Sequence, residues 1–399
     1  MVPSPRPSFL TAAALVFVCG ACQGPDFPSP EELFVGLEYA DPSLHPNGPG
    51  VVVAETGPAR FARPLFEAFG VQATLGLTRS FQERLLTPGA GGFDECLDGF
   101  AASLAAAGFG KLPGLGLRDG GPSPGSHAGR TLVATIEGSA RSHEAVALVT
   151  YLQGSGAWDN AGGAAGQVGL ALALAELLRE GEIQVPARTL VFLWGVERSA
   201  GRAWLAEGAH YVFAAVHTVM DSAAPSGTLS LMERHPDPGA IHDLSPEEQA
   251  ERGAPALQHK RLRPNGLAVI ARCALADVSR LAGGWQTSEI PFESEGGHER
   301  FIDVGVPTVL FRHAAPKDRE SADGEHLRRA AVAAGATALA LADPGPADLE
   351  RYLLTNREEL TLRVGVAEEA GEGALAERWR SWCTGVRHWF RTLCLGQAE

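Results

Sequence analysis

The chain has 399 residues, 45% of them hydrophobic and 20% charged. That supplies apolar content for a sizeable globular core. Its 33 Lys and Arg stand against 47 Asp and Glu, a net charge of −14, which argues against a nucleic-acid backbone as partner because phosphates would be repelled. Six cysteines in this length do not make a disulfide scaffold.

Residues 1–21 read as a secretory signal. One cation, Arg6, precedes an apolar stretch over Phe9–Val18, too short to span a bilayer. The small residues Gly20 and Ala21 before Cys22 resemble the lipobox of bacterial lipoproteins, which implies lipidation at Cys22 and a membrane-anchored protein of the cell envelope; the alternative is a plain signal peptide and a soluble exported protein. No other stretch reads as a membrane helix. Residues 22–50, rich in Pro and Gly, read as a tether.

Val51–Val53 reads as a short strand. Phe93–Ala107 reads as a helix, with Phe93, Leu97, Phe100 and Leu104 on one face and Gly108 ending it. Lys111–Arg130 reads as loop. Strands are expected over Thr131–Ile136, Ala145–Leu152, Arg188–Trp194, Val212–Met220 and Pro307–Phe311. Helices are expected over Gly162–Leu178, Arg202–Glu207, Val278–Ala282 and Glu325–Leu341. Near-continuous apolar strands alternating with helices predict an α/β fold: a three-layer, twisted, mixed but mostly parallel sheet flanked by helices. Residues 233–266 are polar and Pro-rich and read as an inserted loop, with His235, His242 and His259 on its surface.

Asp343–Pro346 marks a boundary, so the main domain spans 51–342 and a helical extension covers 347–399. In the extension Trp379, Trp382, Val386, Trp389 and Leu393 share a face, with Arg378, Arg380, Arg387 and Arg391 around it. A helix capping the main domain is the preferred reading, and a membrane-surface helix the sharper one. Cys383 and Cys394, three turns apart, cannot bond within one straight helix.

In such sheets chemistry sits at the carboxyl ends of the strands. Asp159, Glu197 and Asp221 follow three successive strands and so converge on one rim, and convergent carboxylates suit cation binding and water activation. Each also has a plainer reading: Asp159-Asn160 as a helix cap, Glu197 as an exposed loop acid, Asp221 as a turn residue. Gly121–Gly125 spells Gly-x-Ser-x-Gly, but two prolines prevent the strand-to-helix elbow that a nucleophilic serine needs.

Residues 145–153 (AVALVTYLQ), 156–162 (GAWDNAG), 188–197 (RTLVFLWGVE), 219–221 (VMD), 297–307 (GHERFIDVGVP) and 325–330 (EHLRRA) resemble, in order, the segments of the di-zinc aminopeptidases, peptidase family M-twenty-eight. The resemblance covers about residues 50–342 and implies that fold. It implies Asp159 as bridging metal carboxylate, Asp221 as terminal metal ligand and Glu197 as general base, with His298 packing near the site without binding metal. At the two lost ligand positions stand Tyr151 and Arg198. The late histidine position offers only Arg319–Asp323 or, at different spacing, His313.

The expectation is therefore a metal-degenerate, non-catalytic relative that binds peptide or protein partners, with no cofactor. Arg198 stands in for the missing cation. The alternative is an active aminopeptidase holding zinc through Asp159, Asp221 and His313. A third reading is an envelope scaffold that presents the Trp-rich tail.

Overall fold

Alternation along the central strands builds two cores from one sheet. On one face lie Leu132, Ala134, Val146, Leu148, Leu190, Phe192, Trp194, Ala214 and Val216. On the other lie Val133, Ala145, Ala147, Val149, Tyr151, Val191, Leu193 and Ala215. A strand buried on both faces has to be apolar throughout, hence the continuous runs in the sequence. The computed structural model describes residues 34–35, 53–54, 60–85, 92–120, 130–152, 154–155, 158–195, 199–208, 210–220, 230–238, 263–285, 287–290, 292, 297–313 and 324–395.

The eight strands are β1 (Leu115–Gly120), β2 (Thr131–Ile136), β3 (Arg141–Tyr151), β4 (Arg188–Gly195), β5 (Tyr211–Val219), β6 (Ser230–Glu233), β7 (Thr287–Ile290) and β8 (Thr308–His313). Their order across the sheet is β7-β6-β8-β5-β3-β4-β2-β1. The middle four, β8-β5-β3-β4, run parallel. β2 is antiparallel to β4 and to β1, and β6 is antiparallel to β8 and parallel to β7.

Ten helices are described: α1 (Ala62–Ala68), α2 (Val71–Leu85), α3 (Gly92–Ala106), α4 (Ala161–Glu180), α5 (Ser199–Glu207), α6 (Leu267–Leu281), α7 (Glu299–Ile302), α8 (Gly324–Ala342), α9 (Pro346–Glu369) and α10 (Gly373–Leu395). Residues of α1–α4, α6 and α8 fill the larger core. Trp204 of α5 and Phe301 of α7 cover the opposite face. This is the three-layer α/β sandwich with a mixed, mostly parallel sheet that the sequence predicts. α3 ends as expected, with Gly108 at φ +104°, a left-handed conformation that favours glycine.

Several expectations change. Residues 115–120, read as loop, form the edge strand β1; an edge strand needs no apolar run, so its glycines and charges hid it. α6 begins at Leu267, well before the expected Val278; its residues 269–278 are all buried, which erases helical periodicity. β7, and helices α1 and α2, were not anticipated. Arg234, His235 and Asp237, placed in a surface loop, are buried. His242 and His259 lie outside the described residues, as do the signal segment, Cys22 and most of the tether. Within the tether Phe34–Val35 pairs with Val53–Ala54. α4 is long and apolar enough to cross a membrane, contrary to the sequence reading, but 15 of its 20 residues are buried in the protein.

The C-terminal helices pack onto the main domain. Trp379, Val386 and Leu393 of α10 are buried, with Phe390 beside them, while Trp382 and Trp389 are half-buried and pack against the same cores. Trp389 stacks on Phe213 of β5, with ring centroids 5.5 Å apart. Cys383 and Cys394 share the single helix α10 and are free thiols. Ion pairs lock the attachment. Arg351 of α9 grips Asp277 of α6 with two bonds of 2.7 and 2.8 Å. Arg272 of α6 grips Glu289 of β7 at 2.7 and 2.8 Å and reaches Glu359 of α9 at 3.2 Å. Arg234 and Arg363 approach the same Glu289 at 3.1 and 3.5 Å, and Arg234 also pairs with Asp237 at 2.9 Å.

Candidate functional site

The chain leaves β3 through α4 to reach β4 on one side, and later enters β5 on the other side of β3. The connections leaving β3 and β5 thus diverge, and their carboxyl ends form the topological switch point of the sheet. Asn160, directly before α4, sits there and is 4% exposed. Its amide nitrogen donates to Thr150 Oγ1 (2.8 Å), the Tyr151 carbonyl (2.9 Å) and the Thr218 carbonyl (3.2 Å). Its Oδ1 accepts the Met220 N–H at 2.7 Å. Thr150 Oγ1 donates in turn to the Thr218 carbonyl at 3.0 Å.

Asn160 therefore clamps both strand ends instead of capping α4, where its side chain makes no cap bond. Gly163 makes room: a Cβ there would lie 2.1 Å from Asn160 Oδ1 and 3.1 Å from the Met220 nitrogen. Asn160→Ala should cost about 1–3 kcal/mol, since it strands the Met220 N–H in the interior. Denaturant unfolding checks this; a loss no larger than that of a surface Asn→Ala change would contradict it.

Of the predicted site residues, Asp159 pairs through its backbone with Gly154 and directly precedes the clamp. Its side chain, and that of His313 at the end of β8, lie outside the described residues, as do Glu197, Arg198 and Asp221 altogether. Tyr151 is described. It is 3% exposed and belongs to the smaller core with Phe301. A Cβ at Gly201 of α5 would fall 2.5 Å from its hydroxyl, so the phenol tip presses on the helix where only glycine leaves space.

On the sheet, around β5, lies a polar cluster that the sequence reading did not assemble. Register aligns Glu233, Leu310, His217 and Val149 in one row across the sheet. His298 Nε2 stands 2.8 Å from Glu233 Oε1, and both residues are buried. The His298 ring lies 5.9 Å from that of His217 and 5.1 Å from Phe292. His217 meets the Phe301 ring edge-on at 4.9 Å, and among the described residues neither of its ring nitrogens has a hydrogen-bond partner. His235 Nδ1 accepts the Thr308 N–H at 3.3 Å.

Burial holds the His217 pKa well below its ordinary value, and repulsion from His298 adds to this. The same two causes push His235 down to about 3. His298 is buried among Glu233, His217 and Phe292. His235 is no surface residue. His217 had a signal: a histidine inside an apolar strand run has nowhere to go but the interior. Among the described residues no three His, Cys, Asp or Glu side chains gather as a metal ion would require. A groove of about 500 Å³ lined by Gly116, Glu137, Ser142, His143 and His210 opens at the opposite, amino end of the strands.

No protein-family model matches the chain, and no curated protein matches it. Solved structures do. The LapA aminopeptidase of Legionella pneumophila superimposes with a TM-score of 0.50 at 11% identity, over 72% of this chain and 76% of its own. The fold is aminopeptidase-like. LapB from the same organism (TM-score 0.47, 10% identity, 72% and 78% covered) and a glutaminyl cyclase of Macrostomum lignano (0.45, 14%, 71% and 92%) match less well and add no argument. At such identities the likeness concerns architecture alone. In this aminopeptidase-like domain the Asn160 clamp and the buried histidines sit at and below the end of the sheet where the sequence reading placed the site.

Proposed function

We propose that the protein is an exported lipoprotein whose aminopeptidase-like domain binds peptide or protein partners without a working zinc centre. The observation that carries this reading is Tyr151. The resemblance expects a metal-binding imidazole at that position. A phenol stands there instead, titrating near pH ~10 when unperturbed and so a poor zinc ligand at neutral pH. It is also packed into the smaller core against Gly201 and Phe301. These residues do not fit a two-zinc sphere, and no step of the proposed function passes through a metal.

Arg198 supports the same reading. It replaces a liganding carboxylate, so one substitution removes an anion and adds a cation that stays protonated. In this proposal its guanidinium pairs with Asp159 or Asp221 and offsets their repulsion, leaving an ordered pocket.

The test is hydrolysis of aminoacyl-anilides by the purified full chain with added zinc. No turnover above buffer is expected, for the wild type or for Arg198→Glu alone. Turnover abolished by Glu197→Gln would overturn the reading and establish an aminopeptidase. Membrane attachment is checked separately: Cys22→Ser should move the protein out of the membrane fraction washed at high salt. Unchanged fractionation would end the lipoprotein reading.

A further inference from the structure

We propose that the outer face of α10 is a docking surface for an anionic phospholipid bilayer. The tryptophan face of this helix is turned inward, as described above. What it leaves outside is basic. Arg380, Arg387 and Arg391 are exposed and lie at i, i+7 and i+11, within about 40° of one another around the helix at 100° per residue. Exposed His388, Thr384 and Ser381 flank them.

The stripe contrasts with the rest of the chain. Residues 378–395 contain four arginines and no Asp or Glu, whereas the other 381 residues carry all 47 acids and only 29 cations. Within the stripe Arg380 is paired with Glu368 and Glu377. Arg387 bonds only the Thr384 hydroxyl, at 3.0 Å, among the described residues, and no ion pair is formed there by Arg391.

Charge decides both the partner and the orientation. A chain at −14 is repelled by an anionic surface unless it presents a face whose local charge is positive. At physiological salt the screening length is about 8 Å, so acids farther than that from the contact contribute little. With Arg380 held by Glu368 and Glu377, the arginines left for a surface are Arg387 and Arg391, about 6 Å apart along the axis and so within one screening length, on a helix anchored to the domain. A flat sheet of phosphates matches such a pair of guanidiniums. Each free arginine near an anionic leaflet is worth about fivefold in affinity.

Co-sedimentation of the full chain with vesicles tests this. One set is phosphatidylcholine alone, the other contains about one third phosphatidylglycerol, both at low salt. Any attachment through the N-terminal segment appears in both sets, so the stripe is read from the difference. The wild type should prefer the anionic vesicles by about tenfold or more, with the preference gone at about 0.5 M salt. Arg387→Glu with Arg391→Glu should abolish the preference with an unchanged melting temperature, because both side chains are exposed. Equal binding to both vesicle sets, or a preference that survives the double substitution, would overturn the proposal. So would stripe-dependent retention on heparin without any vesicle preference, which would make the partner a soluble polyanion.

Discussion

Glu289→Ala should destabilise the protein by about 3–5 kcal/mol, as expected when one member of a buried ion network is removed. Glu289 is 7% exposed and faces three guanidiniums, Arg272 with two bonds and Arg234 and Arg363 with one contact each. Burial alone would raise its pKa, but those guanidiniums reverse the sign and hold it well below the ordinary carboxylate range. The cluster balances Arg234, Arg272 and Arg363 against Asp237, Glu289 and Glu359. Deleting Glu289 leaves an excess positive charge in the interior. It also cuts the tie between edge strand β7, helix α6 and the C-terminal helix α9. Chemical denaturation measures the loss. An effect below about 1 kcal/mol, the size of an exposed pair, would show that the network is solvated and contributes little.

The second large effect is acid instability set by histidine. His217 and His235 are held neutral in the fold, with pKa values below the unfolded value near 6.5. The unfolded chain therefore binds protons that the folded chain refuses. This stability is complete above pH ~6.5 and falls by about 1.4 kcal/mol per pH unit for each histidine below it. For His235 the loss continues to about pH 3. Between pH ~6.5 and ~4.5 His235 alone removes on the order of 3 kcal/mol, and His217 adds to the loss in the same direction. Glu289 acts at lower pH: its depressed pKa gives stability that is complete above the ordinary carboxylate range and is lost as pH falls from there through the folded value. Unfolding free energy measured across this range should drop accordingly, and His217→Leu should make the slope shallower. A slope unchanged in that variant would show that other groups govern the acid limb.

The central sheet was legible because physics leaves a mark there. β3, β4 and β5 are buried on both faces, so Ala145–Leu152, Arg188–Trp194 and Val212–Met220 stand out as apolar runs. β1 and β7 left no such mark. The first is an edge, and the second is polar yet buried because Glu289 has its arginines. Nothing in the local sequence around Glu289, Arg272 and Arg363 tells that they meet, since they come from three separated elements. The order of the motifs was legible and placed Asp159, Glu197 and Asp221 after successive strands; the last two, and the Asp159 side chain, lie outside the described residues. The Asn160 clamp was not legible, because a polar residue before a helix reads first as a cap. Tyr151 was singled out through the resemblance alone, and its burial against Gly201 depends on α5, fifty residues later.

The central claim is that this aminopeptidase-like domain holds no zinc centre, and elemental analysis of the purified full chain tests it most directly. After dialysis against zinc-containing buffer and removal of loosely held ions, the account predicts well under one zinc per chain. It also predicts no change in melting temperature on adding a chelator, since a ligand bound to the native state would raise its stability by mass action. Two tightly held zinc ions per chain, or one whose removal by chelator lowers the melting temperature, would contradict the account.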